Sequence, residues 1–193
     1  MEWVFEGGRR CLDLVNTMRD RHLEGRELLV DADALAEWLR HCGYTVNAID
    51  VTERQVSAVR ALREAIDRLT MAVSDRRRPS ASDVALVNTT AAAIPAPALH
   101  LADDGSLTLA NGKGTLDSVL AVFAVDAIEL VTTTPAVRVC AADDCGLRFL
   151  DASPKRNRQW CSMARCGNRA KARAHYARRR LSGESPRGGA GTR

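Results

Sequence analysis

The sequence predicts a mainly α-helical protein that ends in a small module built around four cysteines. Apolar residues recur at helical spacing through most of the first 134 residues. Four of the six cysteines lie within the 27 residues from Cys140 to Cys166, and a basic helical pattern follows them. We expect a multihelical N-terminal domain with one small β-hairpin over residues 1–134. A four-cysteine module over 135–181 and a disordered tail over 182–193 complete the prediction.

Start and stop signals predict three helices in the first 75 residues. The first runs through residues 8–21 after a pair of glycines. The second runs from Ala34 to Cys42, with an aspartate N-cap before it and a glycine after it. The third opens with the capping-box sequence Thr52–Gln55 and continues with apolar residues at helical spacing until about Asp75.

Two further helices and a hairpin complete the predicted N-terminal domain. Ser80 or Ser82 caps a short helix that prolines end. The segments Ala98–Leu101 and Ser106–Leu109 flank a turn sequence rich in aspartate and glycine, which is typical of a β-hairpin. Thr115 then caps the most apolar helix of the chain. Its residues follow the i, i+3, i+4, i+7 rule, so we expect it to form the centre of the core.

The composition excludes several classes of protein. Apolar residues make up 46% of the chain and charged residues 27%, as in a globular protein. No apolar run approaches the roughly 18 residues that a bilayer-spanning helix needs. The first residues contain acids and no basic segment, so we expect no secretory signal. The sequence therefore predicts a cytoplasmic protein without a membrane partner.

The charge is distributed unevenly along the chain. Residues 151–193 carry 12 basic and 2 acidic residues, whereas residues 1–150 carry 16 basic and 22 acidic residues. A basic end on an acidic body favours a partner rich in negative charge, most simply nucleic acid. The alternative is a solvated tail that only increases solubility.

The cysteine spacing predicts a zinc site. Cys140 and Cys145 form one pair, Cys161 and Cys166 form a second, and fifteen residues separate the pairs. Zinc takes four ligands tetrahedrally in structural sites, and thiols stay reduced in a cytoplasmic protein. We expect these side chains to hold one structural Zn²⁺ with no open position for catalysis. An iron–sulfur cluster and a redox switch are the alternatives.

The residues after the second cysteine pair predict a DNA-binding helix. Asn168 or Gly167 serves as its N-cap. Small residues form a narrow stripe that we expect to pack on the zinc module, namely Ala170, Ala174, Ala177 and Leu181. Basic side chains on the remaining circumference, and in the loop between the cysteine pairs, suit contacts to phosphates and bases. The predicted DNA-binding residues are Arg156, Arg158, Asn168, Arg169, Lys171, Arg173, Arg178 and Arg179. Alternatives are an RNA target and a protein-interaction module that keeps a purely structural zinc.

Polar residues near the end of the first predicted helix are candidates for a small-molecule site. Asn16, Thr17 and Arg19 follow an apolar segment, and Asn and Thr are disfavoured inside a helix unless they bond to something. Structural hydrogen bonds to the backbone are the alternative. The N-terminal domain would then sense an effector or form a homodimer. No nucleophile–base pair and no paired carboxylates with supporting spacing occur, so we do not expect an enzyme.

Two segments resemble known families. The sequence Cys166–Arg169 spells the signature of the CGNR zinc-finger family, and Trp160–Arg165 before it is also similar to that family. The segments Cys11–Thr17 and Leu35–Leu39 resemble the ABATE domain that precedes this finger. The resemblance covers nearly all of residues 3–181. It implies a mostly helical N-terminal domain, a zinc module ligated by the four clustered cysteines, and a bacterial stress-responsive transcription regulator.

Overall fold

A computed structural model describes residues 3–44, 51–94, 99–109, 115–133 and 136–181. The predicted disordered tail, 182–193, lies outside these residues. The helices are α1 (Arg10–Val15), α2 (Ala32–His41), α3 (Glu53–Ser74), α4 (Ala81–Ala91), α5 (Leu116–Thr132) and α6 (Asn168–Leu181). The antiparallel strand pairs are β1 (Met18–Arg19) with β2 (Arg26–Glu27), β3 (Leu99–Leu101) with β4 (Leu107–Leu109), and β5 (Val137–Val139) with β6 (Arg148–Leu150). Among the described residues, no helix is long and apolar enough to cross a bilayer.

The predicted helix caps are confirmed where a local side chain supplies them. Asp31 Oδ1 accepts a hydrogen bond from the Ala34 N–H at 2.8 Å. The Thr52 hydroxyl accepts from the Gln55 N–H at 3.3 Å, and the Gln55 side chain accepts from the Thr52 N–H at 2.9 Å, which completes the capping box. Thr115 caps α5 in the same way. Each cap satisfies N–H groups that the first turn of a helix leaves unpaired.

The prediction for the first helix was wrong at its C-terminal end. The helix α1 stops at Val15 rather than at Arg21, and the chain then extends into β1. The Thr17 hydroxyl donates to the Leu14 carbonyl at 2.7 Å, so it satisfies an acceptor at the helix end. The Asn16 side chain bonds to the backbone of a distant strand. These polar residues therefore end the helix, and the N-terminal part holds a hairpin that the sequence did not predict.

The apolar core surrounds α5, as its composition predicts. α5 packs against α1, α3 and α4. Phe123 on α5 is fully buried, and its ring centroid lies 5.3 Å from that of Trp38 on α2. Small side chains such as Ala124 and Ala127 let the neighbouring helices approach closely. Apolar burial of this kind contributes roughly 25 cal/mol per Å², so this cluster is the main source of stability.

The four-cysteine module packs directly on the helical part. Val4, near the N-terminus, belongs to the apolar cluster around the cysteines, whereas Val137 on β5 belongs to the main core. The Leu150 N–H donates to the Gly7 carbonyl at 2.8 Å, which ties β6 to the segment that precedes α1. The position of the module relative to the helices is therefore fixed by shared packing and backbone hydrogen bonds.

Candidate metal centre and nucleic-acid interface

The four clustered cysteines come from two turns that the fold brings together. Cys140 follows β5, and Cys145 ends the turn before β6. Cys161 precedes a π-helical turn, Met163–Gly167, which contains Cys166. The β5–β6 pairing places the first turn at one end of the hairpin, and the loop after β6 returns the chain to it. All four side chains are buried.

The sulfur positions fit one tetrahedral metal ion. The four Sγ atoms all lie within 4.8 Å of one another. Cys145 Sγ lies 3.8 Å from Cys161 Sγ, which lies 3.7 Å from Cys166 Sγ. Zinc–sulfur bonds of about 2.3 Å in a tetrahedron separate the sulfurs by about 3.8 Å, whereas a disulfide would need about 2.05 Å. The arrangement therefore suits four-thiolate zinc, with no position left for a substrate or water.

The electrostatics of the four cysteine sulfurs favour binding of a cation. A hydrogen bond from Cys161 lowers the pKa of Cys145 to about 5, and the same bond raises the pKa of Cys161. Burial, as the largest cause, raises the pKa of Cys166 to about 11. The sulfurs therefore stabilise one thiolate but oppose further ionisation. A divalent cation supplies the positive charge that lets all four ionise, which couples metal binding to proton release.

Hydrogen-bond donors around the sulfurs support a negatively charged site. The Cys161 N–H points to Cys140 Sγ at 3.4 Å, and an Arg169 Nη2 lies 3.6 Å from Cys166 Sγ. Arg158 Nη2 donates to the Cys161 carbonyl at 2.5 Å. Four thiolates and Zn²⁺ sum to −2, so these arginines offset charge and orient the ligands. Two predicted DNA-binding residues thus also stabilise the metal centre.

Two glycines lie where a Cβ atom would come too close to a neighbouring side chain. Gly146, next to Cys145, has a φ of +63°, and a Cβ there would collide with the His22 ring. A Cβ at Gly167 would lie 2.5 Å from Met163 Sδ and 3.4 Å from a ring carbon of Trp160. Gly146 lets the cysteine turn contact the N-terminal part, and Gly167 lets the π-helical turn close.

The basic helix α6 projects from the module into solvent. The prediction that its alanine stripe packs on the zinc module was wrong, because Ala174 and Ala177 are exposed and Ala170 is only half-buried. α6 packs mainly against the π-helical turn at its start, so the later turns have no described surface opposite them. Every residue from Lys171 to Arg178 is exposed, among them Tyr176, which is 65% exposed.

The start of α6 also differs from the expected N-cap. Asn168 is the first residue of α6, and neither it nor Gly167 caps a free helix end, because the π-helical turn runs directly into α6. Ser162 caps the combined structure, and its hydroxyl accepts from the Arg165 N–H at 3.4 Å. Such π-helical turns are frequent at functional sites, and this one carries a metal ligand.

An acidic side chain within the module binds two of the predicted DNA-binding residues. Asp144 accepts hydrogen bonds from Arg169 at 3.1 Å and from Arg173 at 2.6 Å. The Arg173 hydrogen bond is the largest cause that lowers the pKa of Asp144. Lys171, Arg178 and Asn168 lie on the same exposed helix. The position of Arg179 is on α6, and its side chain lies outside the described residues.

The loop between the cysteine pairs presents the other two predicted DNA-binding residues. Arg156 and Arg158 are exposed. Asp151, which is buried, holds this loop by accepting from the Arg158 N–H at 2.7 Å and from the Ser153 hydroxyl at 2.6 Å. The Arg156 carbonyl accepts from Arg138 at 2.8 Å. The loop is thus held by hydrogen bonds next to the metal centre.

The three predicted ligand-binding residues lie where the helical part meets the module. The Asn16 amide donates to the Arg148 carbonyl at 2.9 Å and accepts from the Arg148 N–H at 2.8 Å. The Thr17 hydroxyl also accepts from Arg63 at 3.3 Å. Asn16 and Thr17 therefore make the backbone and side-chain bonds that were the structural alternative. Arg19 is buried on β1, and a ligand role for the three residues stays a prediction.

Sequence reasoning missed an ionic network beside these residues. Arg63 is 2% exposed on the buried face of α3 and binds Glu27 through two hydrogen bonds of 2.6 and 2.7 Å. Arg21 binds Glu64 at 2.7 Å. Arg148, between the cysteine pairs, binds Asp67 on α3 at 2.8 Å. The available signal was a charged residue inside an apolar stripe, since Arg63 lies next to Leu62, but its partners are remote in sequence.

The profile of the ABATE family, described as "putative stress-induced transcription regulator", matches residues 8–134. The profile of the CGNR zinc finger matches residues 136–179. No curated protein matches the chain. With the finger profile and the sulfur geometry together, the four clustered cysteines form a site for one structural zinc ion.

Proposed function

The chain belongs to the ABATE family, and from this we propose that it is a DNA-binding transcription regulator of the bacterial cytoplasm rather than an enzyme. The C-terminal zinc module and α6 bind DNA, and the N-terminal domain senses a small-molecule effector. The observation that carries the proposal is the exposure of every residue of α6 from Lys171 to Arg178.

The composition of α6 suits a polyanion. The helix Asn168–Leu181 contains six Lys or Arg residues and no acid. Residues 171–178 of this helix are all exposed, so these turns gain little from packing, and an isolated helix of this length is only marginally stable in water. A major groove admits one α-helix, and its phosphates would bind the basic side chains on both flanks. Bound DNA would thus stabilise α6 further.

The zinc ion gives α6 a fixed starting point. Cys166 lies in the π-helical turn that continues into the helix, and Arg169 contacts both its sulfur and Asp144. Structural zinc contributes on the order of 10 kcal/mol to the folding of a module this small. Metal binding would therefore orient the helix toward DNA without taking part in chemistry.

We expect the effect of a bound ligand to pass from the N-terminal domain to the DNA-binding module through the contacts of Arg148 with the helical part. Its backbone is held by Asn16 and its guanidinium by Asp67 on α3. A ligand that changes the position of α1 or α3 would act on the strand β6 between the cysteine pairs. This supports a sensor role for the N-terminal domain.

The test measures binding of the zinc-loaded chain to labelled random-sequence duplex DNA by fluorescence anisotropy across a salt series. If about four phosphates are neutralised, the logarithm of the binding constant falls with a slope near −3.6 against the logarithm of salt concentration. The double variant Lys171→Gln, Arg178→Gln reduces that slope by about two. Arg54→Gln, which removes an exposed arginine in the first turn of α3, at the opposite end of that helix from the Ser74–Val137 contact with the module, is the matched control.

Binding that is insensitive to salt, or equal in the double variant and the control, would refute the proposal. A chelator that removes zinc should abolish binding, since it releases the start of α6. Retention of a bound protein partner with no DNA binding under any condition would instead favour the protein-interaction alternative.

A further inference from the structure

Arg19 is a buried cation without a counter-charge. It lies on β1, is 5% exposed, and its Nε is enclosed without a hydrogen bond. Within the described part of the chain, no residue forms a hydrogen bond or ion pair with its guanidinium. Arg9 and Arg21 also have an enclosed, unbonded Nε, but their terminal nitrogens bind carboxylates. Arg19 is different because its terminal nitrogens have no such partner; unlike its Nε they are not enclosed, so an anion can reach them from the surface.

An unpaired guanidinium in this position is physically unfavourable. Arginine does not lose its proton in proteins, so burial cannot neutralise it. Desolvating a charge without a partner is costly, and an apolar side chain of similar volume would fill the same space without that cost. The position of Arg19 is therefore explained if an anion from outside the described chain binds there.

The neighbouring acids are already occupied. Arg19 lies between Thr17, which accepts from Arg63, and Arg21, which binds Glu64. Each carboxylate in this network is bound by at least two arginines. The pairs are Glu27 with Arg60 and Arg63, Glu64 with Arg21 and Arg63, and Asp67 with Arg21 and Arg148. The ionic network formed by residues on either side of Arg19 in the sequence therefore contains four arginines and three acids, and none of these acids binds the Arg19 guanidinium.

We propose that Arg19 binds a small oxoanion, either a phosphate or a carboxylate group, and that this is the effector site of the N-terminal domain. The planar guanidinium offers paired N–H donors that match two oxygens of such a group. The effector role rests on the proposed sensor function, whereas anion binding itself can be measured without DNA.

The position of Arg19 connects an anion to the zinc module. The segment from Asn16 to His22 contacts the module at both ends. Asn16 bonds to the Arg148 backbone, and His22 Nε2 donates to the Asp143 carbonyl at 2.8 Å. His22 also lies against Gly146, next to Cys145. An anion that orders β1 therefore acts on a segment that touches both the cysteine-bearing turn of the β5–β6 hairpin and the strand β6.

The experiment uses the full zinc-loaded chain and measures its thermal midpoint as phosphate, or separately acetate, is raised about a hundredfold at constant ionic strength. Ligand that binds only the folded state raises the midpoint with the logarithm of its concentration, here by roughly 5–10 °C for a hundredfold rise above the dissociation constant. Arg19→Met should fold with a midpoint in chloride buffer no lower than that of the parent, and its midpoint should not respond to the anion. Arg26→Met is the matched control, because Arg26 is the strand partner of Arg19 and is exposed beside Asp20.

If Arg19→Met does not fold, Arg19→Lys takes its place, since it keeps the charge but loses the paired donors and should show a smaller response. Arg173→Gln removes a phosphate-binding candidate on α6 and should leave the response intact. A response to phosphate alone or to acetate alone identifies the anion group. A parent that responds to neither anion, a response retained in Arg19→Met, or a response lost in Arg173→Gln would overturn the proposal. Loss of DNA binding by a chain that still responds to the anion would count against the proposed regulator and leave this site in place.

Discussion

Replacement of Asn16 by leucine should weaken the attachment of the zinc module to the helical part. Asn16 is 4% exposed, and its amide makes two hydrogen bonds with the backbone of Arg148, at 2.9 and 2.8 Å. Leucine has the same number and branching of side-chain heavy atoms but no polar atoms. The N–H and carbonyl of Arg148 would then lose their partners inside the structure, at a cost of about 1–3 kcal/mol for each unsatisfied group. We expect a loss of about 2–4 kcal/mol in the free energy of unfolding.

The assay is urea unfolding of the zinc-loaded chain, followed by circular dichroism and by release of zinc to a coloured chelator. The midpoint should fall while the slope stays the same, because the surface exposed on unfolding does not change. Asn168→Leu is the control, since Asn168 is exposed on α6 and should change stability by less than about 0.5 kcal/mol. A loss in Asn16→Leu no larger than in that control would refute the coupling of the two parts through this side chain.

Two further predictions concern carboxylates. Asp144→Asn should release Arg173 and Arg169 from their shared partner and strengthen DNA binding by about two- to tenfold, as measured by anisotropy at fixed salt. Unchanged or weaker binding would show that these arginines do not contact phosphates. Burial is the largest cause that raises the pKa of Asp13 from its ordinary value of 3.8 to about 6. The folded state thus holds a proton that the unfolded state releases, so this carboxyl favours folding below pH 4 and loses that advantage as pH rises to 6. Asp13→Asn should therefore be more stable than the parent at pH 8 by about 3 kcal/mol and nearly equal to it near pH 4, and a pH-independent difference in thermal midpoint would contradict this.

The sequence was most informative where structure depends on near neighbours. Asp31 and Thr115 cap their helices through residues three positions away, and the cysteine spacing was sufficient to identify the metal ligands. The end of α1 could not be predicted in this way. α1 ends at this point because the Asn16 side chain bonds to Arg148, which lies 132 residues further along the chain. Helical periodicity likewise placed Ala174 and Ala177 on one stripe, but periodicity cannot show whether another surface lies opposite that stripe.

The zinc module and the helical part depend on each other more than their separate family profiles indicate. Val4 packs around the cysteines, His22 contacts the cysteine turn, and Asp67 neutralises Arg148 between the two cysteine pairs. Metal binding therefore orders a surface on which residues of the N-terminal part already lie. In the other direction, the Asp67–Arg148 ion pair joins α3 to β6, and the Asn16–Arg148 hydrogen bonds join the end of α1 to β6. The proposed sensor role would use these contacts. Because α6 continues directly from the turn that holds Cys166, small changes in that turn become larger displacements at the far end of the helix. A rigid connection at the metal and a free helix beyond it are the physical requirements for a ligand-controlled DNA-binding arm.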